Sequence, residues 1–113
     1  MRPMREIAWV RAALRDFEEF PQSVQDRMKD ALAIASMGQK ADIAKPMKGL
    51  GSGVFEIALP YRTDAYRAIY AVQLGDAIWV VHAFQKKSTK GIATPQKEIE
   101  LIQARLKRIK EML

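Results

Sequence analysis

The chain has 113 residues, 49% of them apolar, enough for one domain over 1–113 to bury a core without metals or cross-links. It holds no cysteine and one histidine, which excludes a disulfide framework, thiolate chemistry and a Cys/His metal site, and it calls for no cofactor. The net charge of +6 lies late in the chain: residues 1–39 carry six basic and six acidic side chains, residues 86–113 eight and three, so a polyanion such as nucleic acid is a candidate partner beside the plainer reading of a solvated surface.

The first residues are charged and lack the apolar stretch of a signal peptide, and no apolar run reaches the length of a membrane span. A cytoplasmic protein with no membrane partner is expected. Ile7 and Trp9 alternate with polar or small neighbours, as a short first strand over 5–10 would. Val10, Ala13, Leu14 and Phe17 then keep helical spacing until Pro21 breaks the run, with Phe20 before it pushed toward extended geometry. A second helix over 22–37 buries Val24, Met28, Ala31, Leu32 and Ala35 and stops at Gly38. The two helices predict an antiparallel hairpin over one sheet face.

Residues 39–53 read as a loop with Lys40, Lys45, Lys48 and a glycine-rich run that lacks the lysine and hydroxyl spacing of a phosphate-binding P-loop. Three runs rich in β-branched and aromatic residues follow, at 54–59, 66–72 and 77–84, and they predict an antiparallel meander with a tight turn at Gly75. Alternation puts Tyr66, Ala68, Tyr70 and Val72 on one face and Arg67, Ile69 and Ala71 on the other. A guanidinium in mid-strand is costly in a closed core, so an open or concave second face is expected. Tyr61 and Arg62 fall in the polar connection before it.

A basic segment leads to Thr94, read as a helix N-cap, and Pro95 at the first helical position. The closing helix over 95–112 presents Ile99, Ile102, Leu106, Ile109 and Leu113 on one face, while Glu98 and Glu100 near its start and Arg105, Lys107, Arg108 and Lys110 near its end complement its dipole. The fold class is α+β, with two N-terminal helices and one C-terminal helix around a mainly antiparallel four-stranded sheet.

Several stretches together carry a resemblance: Lys48-Gly-Leu-Gly-Ser-Gly53 with Val54-Phe-Glu-Ile57, Ala65-Tyr-Arg-Ala-Ile-Tyr70, His82-Ala-Phe-Gln-Lys-Lys-Ser88, and Thr94-Pro-Gln-Lys-Glu-Ile99. This pattern resembles the RelE/ParE superfamily of toxins, and within it the phage-derived HigB-like branch. The resemblance implies a RelE-like fold and the toxin of a type II toxin–antitoxin pair, acting as a ribosome-dependent mRNA endonuclease that blocks translation. It implies as partners a cognate antitoxin of the helix-turn-helix kind and mRNA on the ribosome. By the same resemblance Arg67, Lys86 and Lys87 stand at catalytic positions, and Lys45 and Lys48 match RNA-binding loop lysines loosely. Arg62 and Lys90 are further RNA-binding candidates, for which solvated loop charge is the simpler account.

Cleavage by the RNA 2′-hydroxyl needs a base for that proton, cations for the phosphoryl oxygens and an acid for the leaving 5′-oxygen. Arg67 and Lys87 suit the cationic role. His82 has a fitting intrinsic pKa, but strict alternation places it with Ile78, Val80 and Phe84 on an apolar face, where a core histidine is the commoner outcome. No tyrosine follows Lys87, unlike the best-known RelE pattern. Arg67 has a competing structural role, an ion pair with Glu56 or Asp64, and Lys86 and Lys87 have one in protecting a strand edge. A ParE-like toxin directed at DNA gyrase and a non-catalytic nucleic-acid binder remain alternative functions.

Overall fold

The computed structural model describes residues 4–86 and 94–113. In chain order these form β1 (Ile7–Trp9), α1 (Arg11–Phe17), α2 (Gln22–Ser36), β2 (Ala44–Pro46), β3 (Val54–Tyr61), β4 (Asp64–Leu74), β5 (Ala77–Lys86) and α3 (Gln96–Met112). The strands make one sheet in the order β1-β5-β4-β3-β2, with β1 parallel to β5 and the other neighbours antiparallel.

The sheet therefore has five strands, not the four expected. The added strand is β2, whose Ala44, Lys45 and Pro46 lie opposite Ile57, Glu56 and Phe55. A three-residue strand has no periodicity to read, and its proline is tolerated because the strand lies at a sheet edge. Lys45 thus sits on a strand instead of in a loop.

Alternation along β4 sorts two cores. Tyr66, Ala68 and Tyr70 join Phe17, Phe20, Val24, Met28 and Leu32 beneath the helical hairpin, while Ile69 and Ala71 join Val54, Val81, Ile102, Leu106 and Ile109 beneath α3. The expected open second face is consequently absent. The apolar stripe of α3 must be buried somewhere, each large aliphatic side chain gaining roughly 1.5–3 kcal/mol from full burial, and this face is where it goes.

The hairpin of α1 and α2 turns at Phe20-Pro21, with the Phe20 ring 5.8 Å from Phe17 and 4.8 Å, edge-on, from Tyr66. Gly75 closes the β4–β5 hairpin at φ 66, a conformation glycine adopts without steric cost. At the other end of β4, Tyr61 pairs with Asp64 across a two-residue turn in which Arg62 has φ 59.

One irregularity decides what the α3 face displays. Tyr70 lies opposite Val80 but Ile69 lies opposite His82, so Val81 is an extra residue in β5, a β-bulge. Val81 joins the core beneath α3, and the shifted register brings His82 to that face as well. Strict alternation had placed His82 with Ile78 and Val80; the bulge corrects that placement.

Candidate active face

Register brings several polar groups to one side of the sheet. Lys45 of β2 lies opposite Glu56 of β3, Glu56 opposite Ile69 of β4, and Ile69 opposite His82 of β5. One step along, Arg67 lies opposite Phe84, and Ala65 beyond it lies opposite Lys86. Lys45, Glu56, Arg67, His82 and Lys86 therefore share the α3 face. Of the residues expected to act, Arg67, Lys86 and Lys45 lie on this face, Lys45 three strands away from Lys86. Arg62 is exposed in the β3–β4 turn with its guanidinium carbon 5.4 Å from the Tyr61 ring centre, and Lys48 is exposed before the glycine-rich run. Lys87 and Lys90 lie outside the described residues.

Arg67 does not project into an open groove. It is 8% exposed, and its Nη1 donates to Glu56 Oε1 at 2.8 Å, the ion pair weighed against a catalytic role. Thr94 completes this cluster: its hydroxyl donates to Glu56 Oε2 at 2.8 Å instead of capping α3, where Pro95 holds the cap position without a side-chain bond. A carboxylate shared by two donors is a stronger attraction for that hydroxyl than one helix amide.

His82, 3% exposed, sits in a second cluster. Arg105 Nη1 lies 2.6 Å from His82 Nδ1 and 3.1 Å from the Val81 carbonyl oxygen, and His82 Nε2 lies 2.6 Å from Glu98 Oε1. A guanidinium can only donate, so Nδ1 accepts, the ring proton sits on Nε2, and Nε2 donates to the carboxylate. Burial pushes the His82 pKa below its ordinary value; the Glu98 hydrogen bond opposes this and the Arg105 charge adds to it. The imidazole is thus neutral at neutral pH.

A cleft of about 360 Å³ opens beside it, lined by Asp16 of α1 and Glu19 in the turn after it, by His82, Ala83, Phe84 and Gln85 from β5, and by Glu98, Leu101 and Arg105 from α3. Sequence reasoning missed Glu98 and Arg105, assigning both to the helix dipole. Their signal was positional: 98, 102, 105 and 109 fall on one helical stripe, so two charges share a line with two buried isoleucines. Among the described residues no group of three or more His, Cys, Asp or Glu is placed to hold a metal, and no helix is long and apolar enough to cross a membrane.

Residues 15–107 match the model of the family described as Phage derived protein Gp49-like (DUF891). The chain belongs to the Gp49-like family. Among solved structures, this Gp49-like chain is similar to a double-arginine variant of the E. coli toxin RelE in the free state, with a TM-score of 0.62 at 17% identity over 95% of this chain and 99% of that one. It is also similar to the isolated E. coli RelE toxin, with a TM-score of 0.58 at 15% identity over 96% and 99% of the two chains. The Gp49-like domain thus has the RelE-like α+β fold, with three helices and a five-stranded mixed sheet. No curated protein matches it in sequence.

Proposed function

We propose that this protein is the toxin of a type II toxin–antitoxin pair, of the HigB-like branch, and that it cuts mRNA on the ribosome in the cytoplasm. Its partners on this reading are a helix-turn-helix antitoxin and ribosome-bound message. The Gp49-like family and the RelE-like fold support the toxin, and one observation carries the nuclease: Arg67 and Lys86 share a sheet face with a histidine whose two nitrogens are oriented by a carboxylate and a guanidinium.

In the proposed reaction the 2′-oxygen of the RNA bonds to the adjacent phosphorus as the bond from phosphorus to the 5′-oxygen breaks, leaving a cyclic phosphate and a 5′-oxygen that takes a proton from water to become a hydroxyl. His82 takes the 2′-hydroxyl proton at Nδ1 after Arg105 gives up that nitrogen, and Glu98 steadies the imidazolium through Nε2, the arrangement by which an oriented base works in acyl and phosphoryl transfer. Arg67, exchanging Glu56 for the scissile phosphate, and Lys86 stabilise the developing charge. Lys87 lies next along the chain for the same role. Ribosomal groups supply orientation.

The burial of Arg67 favours one other reading, a ParE-like inhibitor of DNA gyrase that needs no catalytic arginine. Expression without antitoxin decides between them. Primer extension should reveal cuts within translated messages; intact messages with inhibited supercoiling would establish the gyrase reading instead.

A further inference from the structure

On the opposite flank of α3 from the His82 cleft lies a second opening, formed between the loop before β3 and the last turns of the helix. Two contiguous hollows, of about 240 and 340 Å³, share Leu50, Gly51, Leu106 and Lys110. The polar groups along them are Ser52, Gln73, Gln103, Lys107 and Lys110, and no carboxylate lines either. Leu50 and Leu106, at 8% and 4% exposure, lie buried in its floor, so no large apolar side chain stands out from it.

One wall of this groove is bare backbone. Gly49 and Gly51 take φ values of +83° and +93°, and a Cβ added at either would meet nothing within 4 Å. Space is therefore not what selects glycine at these positions; the left-handed backbone is. Neither residue donates its amide to a backbone carbonyl among the described residues. Lys107 and Lys110 are exposed and have no ion-pair partner among the described residues. Glycine backbone with no backbone acceptor for its amides on one wall and two ammonium groups on the other are a combination that suits phosphate.

We infer that the groove between residues 49–52 and the Lys107–Lys110 stretch of α3 binds the phosphodiester backbone of single-stranded RNA, as a positioning site separate from the Arg67 and His82 clusters and on the other flank of α3 from the His82 cleft. The inference rests on the nucleic-acid reading above. Residue 71, beside the groove, is four residues along β4 from Arg67, roughly 14 Å by strand rise, so a strand of message held here runs past the active face without occupying it. An acidic protein segment is the weaker candidate because stable protein interfaces need apolar anchors at their centre, and the leucines here are buried.

The test is binding of a short mixed-sequence single-stranded RNA to the purified toxin across a salt series, by fluorescence anisotropy. Each phosphate contact to a single strand contributes a slope of about −0.7 in log affinity against log salt. The double variant Lys107→Ala with Lys110→Ala should flatten the slope by about 1.4, and Ser52→Glu should weaken binding without unfolding the exposed loop. An unchanged slope in the double variant overturns the groove and leaves the nuclease reading standing. A flattened slope with ribosome-bound message left uncut by the wild type supports the groove and removes the nuclease reading. Loss of antitoxin binding with the RNA slope unchanged would assign the groove to the protein partner and overturn the proposal.

Discussion

Over the first three turns of α3, Glu98 and Arg105 both hold His82 at 2.6 Å, and just before the helix Thr94 ties Glu56 to Arg67, whereas farther along Lys107 and Lys110 stand across from bare glycine backbone with no ion-pair partner among the described residues. The helix dipole accounts for the sign of charge at each end, acid first and base last. It does not account for what each charge faces. Charges matched within the chain are held in place and can position a reaction, while charges left facing solvent can serve only something that arrives. The first cleft is built for orientation, the second for attraction.

Three measurements press on that contrast. The largest effect is expected from His82→Gln, which keeps a polar side chain but no base. Cleavage of ribosome-bound message should fall by about 100-fold to 10,000-fold. Because Glu98 and Arg105 lose their common partner, stability should fall by about 2 kcal/mol, seen as a lower thermal midpoint. Cleavage within a few fold of wild type would reduce the His82 cluster to a clamp on α3.

Arg67→Ala comes next. Removing one electrostatic contact to the transition state costs on the order of 100-fold in rate. The structure adds a second expectation: Glu56 loses its cation, so the variant should also be destabilised, by about 2 kcal/mol. Rate and midpoint must therefore be measured on the same preparation. If the activity lost equals the folded fraction lost, Arg67 is structural and the proposed role for it is wrong.

A smaller effect separates the two ends by pH. The His82 pKa is lowered in the folded chain, so above about pH 6.5 both states are neutral there and nothing is gained or lost. As pH falls below that value the unfolded chain takes up the proton first and stability declines toward the folded pKa. The groups facing His82 are Glu98, Arg105 and, from α1, Asp16. In His82→Gln this part of the acid limb should flatten, while Lys107→Ala with Lys110→Ala should leave it unchanged. An acid limb identical in wild type and His82→Gln would show that the network does not control that proton.

Much of this was legible in the residues. The period-two pattern of β4 assigned its side chains to the correct faces, and the Phe20-Pro21 break and Gly75 turn stand where the sequence put them. What escaped had no local signature. The strand Ala44–Pro46 exists only because an edge of β3 was available to it. The bulge at Val81 arises from how β5 meets β4, and a run of Trp-Val-Val-His shows no sign of it. Thr94 reads equally well as a cap or as a donor to Glu56, and only the position of β3 beneath it decides. The candidate face was hardest to read because its groups come from four strands and one helix, and each looks ordinary on its own.

The parallel edge strand has a consequence for when the molecule can exist. Ile78 donates its amide to Glu6 and Val10 its amide to Val80, while the Arg5 side chain reaches the Asp76 carbonyl 71 residues along the chain. The first strand to be synthesised must therefore wait for the last. The helical hairpin and the β3–β4–β5 meander are local and can form early, whereas β1 docks only after β5 is made, the slow long-range step of the topology. In pulse-labelled hydrogen exchange the amides of Val10 and Ile78 should be protected after those of β3 and β4.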